Sequence, residues 1–195
     1  MGAKTLDGRM FEVAQRAKLV DSERAVAHRA MYSSNAARQG PGVILGDTAA
    51  SNAFFHGKLM GEAADRIARL YTDGQADYCM TALEDTATLA ALLRGALDER
   101  LDFSRIILMR SGSNFDRPYS DDHLPTVPFI MDHGGFEPAI RNLFSVGQVI
   151  VDEILEQWAS TFEDGLQPEN YVGDLLGSLG GSPSYGPHRS AEEQV

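Results

Sequence analysis

The spacing of apolar residues along the chain predicts an alternation of helices and strands. Where apolar side chains recur every three or four residues they predict helices with one buried face, and where they stand together they predict buried strands. The recurring spacing covers 11–20, 22–38, 59–70, 83–97 and 137–158, and the short apolar runs cover 43–45, 77–80 and 105–110. Asp21 is placed to cap the second of these helices.

The order of these elements predicts the fold class. Strands that alternate with helices form a parallel sheet with right-handed crossovers, so we predict an α/β fold in which a mainly parallel sheet is flanked by helices. A length of 195 residues fits a single domain. We place that domain at 1–164 and predict a disordered tail over 165–195, where Gly, Ser and Pro dominate.

Three segments that directly follow the predicted strands carry the candidate chemistry. Segments of this kind lie at one edge of a parallel sheet, which is where ligands bind, so we expect 46–57, 80–85 and 111–118 to converge. Aromatic rings beside carboxylates and an amide suit a flat, polar, uncharged ligand such as a nucleoside. The candidate side chains are Asp47, Phe54, Phe55, Glu84, Ser113, Asn114 and Asp116.

Each candidate also has a purely structural interpretation. Thr81-Ala82-Leu83-Glu84 has the pattern of a capping box, in which Glu84 would only accept a hydrogen bond at the start of a helix. Phe54 and Phe55 fit a hydrophobic core, Asp47 fits a turn cap, and 113–116 fits a simple turn. Both interpretations stay open for each residue.

The composition argues against several classes of function. Acidic residues outnumber basic ones by 28 to 17, and the formal charge of -11 repels nucleic acid and anionic lipid head groups. The longest apolar runs are far shorter than the roughly 20 residues that cross a bilayer, and no apolar signal segment follows Met1. A single cysteine and histidines without ligand spacing predict no metal site.

Five blocks, taken in order, carry a resemblance to a known family. They resemble the signature blocks of the purine nucleoside permeases, and the likeness runs from about Lys4 to Phe162. The blocks are Gly46-Asp47-Thr48, Phe55-His56-Gly57-Lys58, Tyr71-Thr72-Asp73-Gly74, Leu83-Glu84-Asp85-Thr86 and Ser113-Asn114-Phe115-Asp116-Arg117-Pro118.

The resemblance implies a fold similar to the nucleoside phosphorylases and roles for several residues. On that likeness, Glu84 holds the ribose hydroxyls, Phe54 packs on the base, and Asn114 contacts the purine and stabilises it as a leaving group. General-acid catalysis would require Asp116 with a raised pKa. Asp47 is typical of the family but has no assigned role.

Three functions follow from the resemblance. The first is purine nucleoside binding linked to transport, which implies a periplasmic or extracellular location. The alternative is a phosphorylase or hydrolase that cleaves the N-glycosidic bond. The third is an inactive, truncated relative, because the amino-terminal half that supplies the phosphate site in phosphorylases has no counterpart here. We therefore expect no cofactor, phosphate only as a co-substrate, and a homo-oligomer if the sheet has an unpaired edge.

Overall fold

A computed structural model describes residues 8–52, 56–72, 74–102, 105–120 and 133–164. It contains six α-helices, one π-helix and two strands within those ranges. The helices are α1 (Gly8–Ala14), α2 (Glu23–Arg29), α3 (Asn35–Arg38), α4 (Lys58–Tyr71), α5 (Asp85–Leu97) and α6 (Phe136–Glu156), with the π-helix at Trp158–Phe162; the strands are β1 (Asp47–Ala50) and β2 (Tyr78–Ala82). The predicted tail, 165–195, and the candidates Phe54 and Phe55 lie outside the described residues.

The two strands form a small parallel sheet, so the α/β class is confirmed. Asp47 pairs with Tyr78 and Ala50 with Ala82, and the register shifts once, between Asp47 and Thr48. Helix α4 connects the strands and contacts both of them. The carboxyl ends of β1 and β2 therefore lie at the same edge of the sheet.

Two of the three predicted strands are wrong. The run 43–45 precedes the strand, and Ile44 is 70% exposed; pairing begins only after Gly46, which lies so close to Cys79 that a Cβ would be 2.6 Å from its Sγ. The run 106–109 forms no ladder with the described strands, although Ile107 and Met109 pack on the core. Strand pairing requires a neighbouring backbone, which an apolar run by itself does not supply.

The first helices differ from the prediction in length and in their cap. The pattern over 22–38 is interrupted, and it forms α2 and α3. Ser22 caps α2, because its Oγ accepts a hydrogen bond from the Ala25 N–H at 3.0 Å. Asp21 instead pairs with the Arg29 guanidinium, which lowers the pKa of the Asp21 carboxyl.

The hydrophobic core lies between the first and the last helix. Met10, Val13 and Ala14 of α1 pack against Val146 and Ile150 of α6, together with Phe162 of the π-helix. Helix α6 is confirmed, with Pro138 in its first turn, where the missing N–H costs nothing.

Helix α4 is confirmed as an element, but its apolar stripe is not core. Leu59 and Leu70 are 79% and 77% exposed. The face that α4 buries is centred on Gly61. Within the described ranges, none of the helices combines the length and the apolar character that a bilayer crossing requires.

Candidate functional site

The three segments that follow the predicted strands line one cleft, with a volume of about 640 Å³. Gly46, Thr48 and His56 come from the first segment, and Met80, Thr81 and Asp85 from the second. The third segment contributes 111–116, and residues of α2 and α6 complete the wall. Ser113, Asn114 and Asp116 therefore line one cavity with residues of the other two segments, although the run before the third segment is not one of the two paired strands.

Hydrogen bonds from three directions hold the third segment in place. The Gly57 N–H donates to the Asp116 carbonyl at 2.6 Å, and the Tyr32 hydroxyl donates to the Arg117 carbonyl at 2.8 Å. The Tyr78 hydroxyl donates to Asp116 Oδ2 at 2.6 Å. Because both backbone and side chain are fixed, the neighbouring Asn114 has a defined position at the cleft.

The two tyrosines in this network stay protonated. Burial, followed by the charge of Asp116, raises the pKa of Tyr32 to about 12. Burial and the hydrogen bond to Asp116 raise the pKa of Tyr78 as well. The Asp116 carboxylate therefore accepts a stable hydrogen bond from Tyr78 and holds the segment in place.

Asp47 and Glu84 lie away from the wall of the cleft. Asp47 is 5% exposed, and its Oδ2 accepts a hydrogen bond from the Asp77 N–H at 2.7 Å, which ties β1 to the start of β2. The Glu84 side chain is 63% exposed, and its Oε1 accepts from Arg110 Nη1 at 3.1 Å. Their roles in binding stay predictions.

The predicted capping box does not form. Strand β2 continues to Ala82, so Thr81 is still in the sheet, and α5 begins at Asp85 with Glu84 in the cap position. Among the described residues, the Glu84 side chain accepts from the adjacent Leu83 N–H, at 3.2 Å, and from Arg110. Thr81 and Ala82 therefore belong to β2, and Thr81 does not cap the helix.

Arg110, which directly precedes the third segment, forms ion pairs with the second segment at the cleft. Its guanidinium contacts both Glu84 and the Asp85 carboxylate, and Asp85 is 6% exposed. A buried carboxylate requires such a partner, because an isolated charge is costly to remove from water.

A group of aromatic rings lies beside the cleft, and the sequence analysis missed it. The His28 and His133 rings stack with centroids 3.9 Å apart and planes 4° from parallel. Tyr32, Phe115 and Tyr119 surround His28. These residues come from distant parts of the chain, so no local pattern links them; only Phe115 lies in a block that the sequence singles out.

The histidines at the cleft predict that stability falls in mild acid. Burial and the neighbouring His133 lower the pKa of His28, and burial lowers the pKa of His56 although Asp116 and the Phe115 backbone oppose the change. The unfolded chain therefore binds protons that the folded chain does not as pH falls through the ordinary value of 6.5. The two histidines therefore contribute their full stabilisation above pH 6.5 and lose it as the pH falls.

We expect the Tm to fall by a few degrees between about pH 7.5 and about pH 5.5, measured by circular dichroism at constant ionic strength. His28→Phe, which keeps a ring in the cluster, should reduce the fall. Asp21 stays ionised over this interval, so it does not contribute to the change. A Tm that is constant over the interval would contradict the assignment.

The described residues contain no group of three or more His, Cys, Asp or Glu side chains placed to hold a metal ion. The lining of the cleft includes the Asn114 amide, the Ser113 hydroxyl and the rings of His28, Phe115 and His133, together with charged side chains that include Asp85, Arg110 and Asp116. Ring faces beside an amide and a hydroxyl suit a planar molecule with polar edges.

Comparison with known proteins identifies similar sequences. Residues 3–167 match the protein family described as purine nucleoside permease. A purine nucleoside permease of Candida albicans is 33% identical over 184 residues, which cover 93% of this chain and 45% of the relative. A probable purine nucleoside permease of Schizosaccharomyces pombe is 31% identical over 157 residues, which cover 80% of this chain and 44% of the relative. The chain thus spans just under half the length of these curated relatives. No solved structure matches the chain.

Proposed function

The chain belongs to the purine nucleoside permease family, and on that premise we propose that its cleft binds a purine nucleoside as a step in nucleoside transport. The observation that carries the proposal is the placement of Ser113 and Asn114 beside Phe115, in one cleft that also contains His28 and His133. A volume of about 640 Å³ lies within the usual range for small-molecule sites.

Asn114 is the residue we assign to the base. An amide side chain donates and accepts hydrogen bonds, which suits the mixed donor and acceptor edge of a purine. The Tyr78–Asp116 hydrogen bond, two residues further on, holds the backbone that presents Asn114. Ser113 adds a hydroxyl at the same wall.

Glu84 is the residue we assign to the ribose. It does not itself line the wall, but it directly precedes Asp85, which does, and its carboxylate accepts a hydrogen bond from the lining residue Arg110. Its exposed carboxylate can accept hydrogen bonds from two hydroxyl groups once Arg110 releases it. The fold that this arrangement supports is nucleoside phosphorylase-like, with the ligand at the carboxyl ends of the parallel strands.

We expect the purified chain to bind inosine and adenosine more tightly than uridine in isothermal titration calorimetry. Asn114→Ala should weaken inosine binding by about 10- to 100-fold, because it leaves polar groups of the base unpaired. The matched control is Asn35→Ala, at the start of α3 and outside the cleft, which should bind as the unaltered chain does. Glu84→Ala should weaken binding of inosine but not of the free base hypoxanthine.

The same samples separate binding from catalysis. Chromatography of inosine after incubation should show no free base if the chain only binds. Base released only with phosphate would identify a phosphorylase, and base released without phosphate a hydrolase. Equal affinity for inosine, uridine and ribose would overturn the proposal, because the cleft would then not recognise a purine.

A further inference from the structure

The His28–His133 stack joins two distant parts of the chain at the cleft. His28 lies on α2, and His133 lies just before α6. Ser22 Oγ donates to the Gly134 carbonyl at 2.6 Å across 112 positions of sequence. Gly134 has φ +83°, and a Cβ there would be 2.6 Å from the Arg24 Cβ. The hydrogen bond of Ser22 and the close approach at Gly134 therefore bring together the two segments that carry the rings.

The two rings differ in the ring contacts that the described residues give them. His28 has Tyr32 and Tyr119 at its edges, with centroids 5.7 and 6.2 Å away and planes at 77° and 83°. Phe115 lies 6.2 Å from it at a tilt of 43°. For His133, the described residues supply one ring contact, which is His28. His133 also lines the cleft, so its imidazole lies within reach of a ring bound there.

The geometry of the stack argues against two other uses. Two histidines that bind one metal ion aim their nitrogen lone pairs at a common point, about 2.0–2.1 Å from each. In a face-to-face stack with centroids 3.9 Å apart, those lone pairs lie in parallel planes and do not converge. Burial lowers the pKa of His28, which favours the neutral ring and so weakens the attraction of the stack itself for an anion.

We propose that the imidazole of His133, backed by His28, is the surface on which the purine base stacks. This inference rests on the proposed function and deepens it: the base would continue the column of parallel rings, with Asn114 at its edge. Stacking on an aromatic ring accepts any planar base, because every base has a π face. The hydrogen bonds of Asn114 would then supply the preference for purine.

The test compares side chains at position 133. His133→Ala should weaken inosine binding by about 10-fold or more, as expected for the loss of one stacked ring, while binding of ribose should not change. His133→Phe keeps a flat ring and should retain affinity to within about threefold. Tyr71→Ala, an exposed aromatic on α4 away from the cleft, is the control and should bind as the unaltered chain does. Equal losses for His133→Ala and His133→Phe would overturn the inference.

A second measurement uses the unaltered chain and does not depend on how the variants fold. The NMR signals of the imidazole ring protons of His133 should move upfield when inosine binds, because they enter the ring current of the base, and ribose should not move them. The emission of ethenoadenosine, a fluorescent purine nucleoside, should be quenched on binding. If inosine binds and neither change occurs, the stacking assignment is wrong and the proposed function survives. If inosine does not bind at all, the proposed function itself fails.

Discussion

Replacing Gly135 with alanine is expected to lower the free energy of unfolding by about 3 kcal/mol. A Cβ at this position would overlap the Ser113 carbonyl oxygen and lie 3.1 Å from the Ser113 carbonyl carbon. Both atoms are backbone, so no rotation of a side chain relieves the overlap. The third cleft segment and the start of α6 would have to separate, which would also displace Asn114.

Urea unfolding followed by circular dichroism would measure this effect. The matched control is Gly147→Ala within α6, where the nearest atom to a new Cβ is the flexible Met109 Cε, at 3.4 Å. Alanine is favoured over glycine inside a helix by up to about 1 kcal/mol, so this control should keep or gain stability. Similar stability changes for the two variants would show that Gly135 and Ser113 do not approach closely.

Replacing Arg110 with methionine is also expected to cost about 3 kcal/mol, because it leaves a buried carboxylate without its partner. Asp85 is 6% exposed at the start of α5 and contacts the Arg110 guanidinium. Methionine keeps much of the packing volume of the arginine stem and removes only the charged head. The expected loss of stability therefore comes from the unpaired charge of Asp85 and not from lost packing.

A double variant separates charge from packing. Asp85→Asn combined with Arg110→Met removes both charges and should recover much of the lost stability, since a neutral amide costs less to bury. Arg141→Met is the surface control: Arg141 pairs with Glu137 at 2.7 Å, but both side chains are mostly exposed, and the change should stay within about 0.5 kcal/mol. A double variant as unstable as Arg110→Met alone would contradict the assignment.

The long helices and the class of the fold were predictable because periodicity is a local property. The apolar spacing over 137–158 extends over many turns, and α6 forms there, although Ile140 and Leu155 within it are 53% and 70% exposed. The strands were harder to predict, because pairing depends on a distant partner. Ile106 to Met109 is as apolar as a buried strand, yet Ile107 and Met109 pack on the core and the run forms no ladder with the described strands.

In the candidate site, too, residues that are neighbours in the sequence could be predicted and contacts between distant residues could not. Ser113 and Asn114 follow one another in a recognisable block, and both line the cleft. His28 and His133 could not be found in this way, because their contact exists only once α2 meets the segment before α6. The burial of Asp47 and the ion pair of Arg110 with Glu84 likewise depend on neighbours that the sequence does not place side by side.

The packing of α1 against α6 has a consequence for synthesis on the ribosome. Val13 is 1% exposed in the finished fold, but the residues that cover it, Val146 and Ile150, emerge much later. At about 5–20 residues per second, the roughly 130 residues between them take on the order of 10 s to translate. During that interval the apolar side chains of this segment lack the partners that cover them in the fold, and a chaperone that shields them would raise the yield of folded protein.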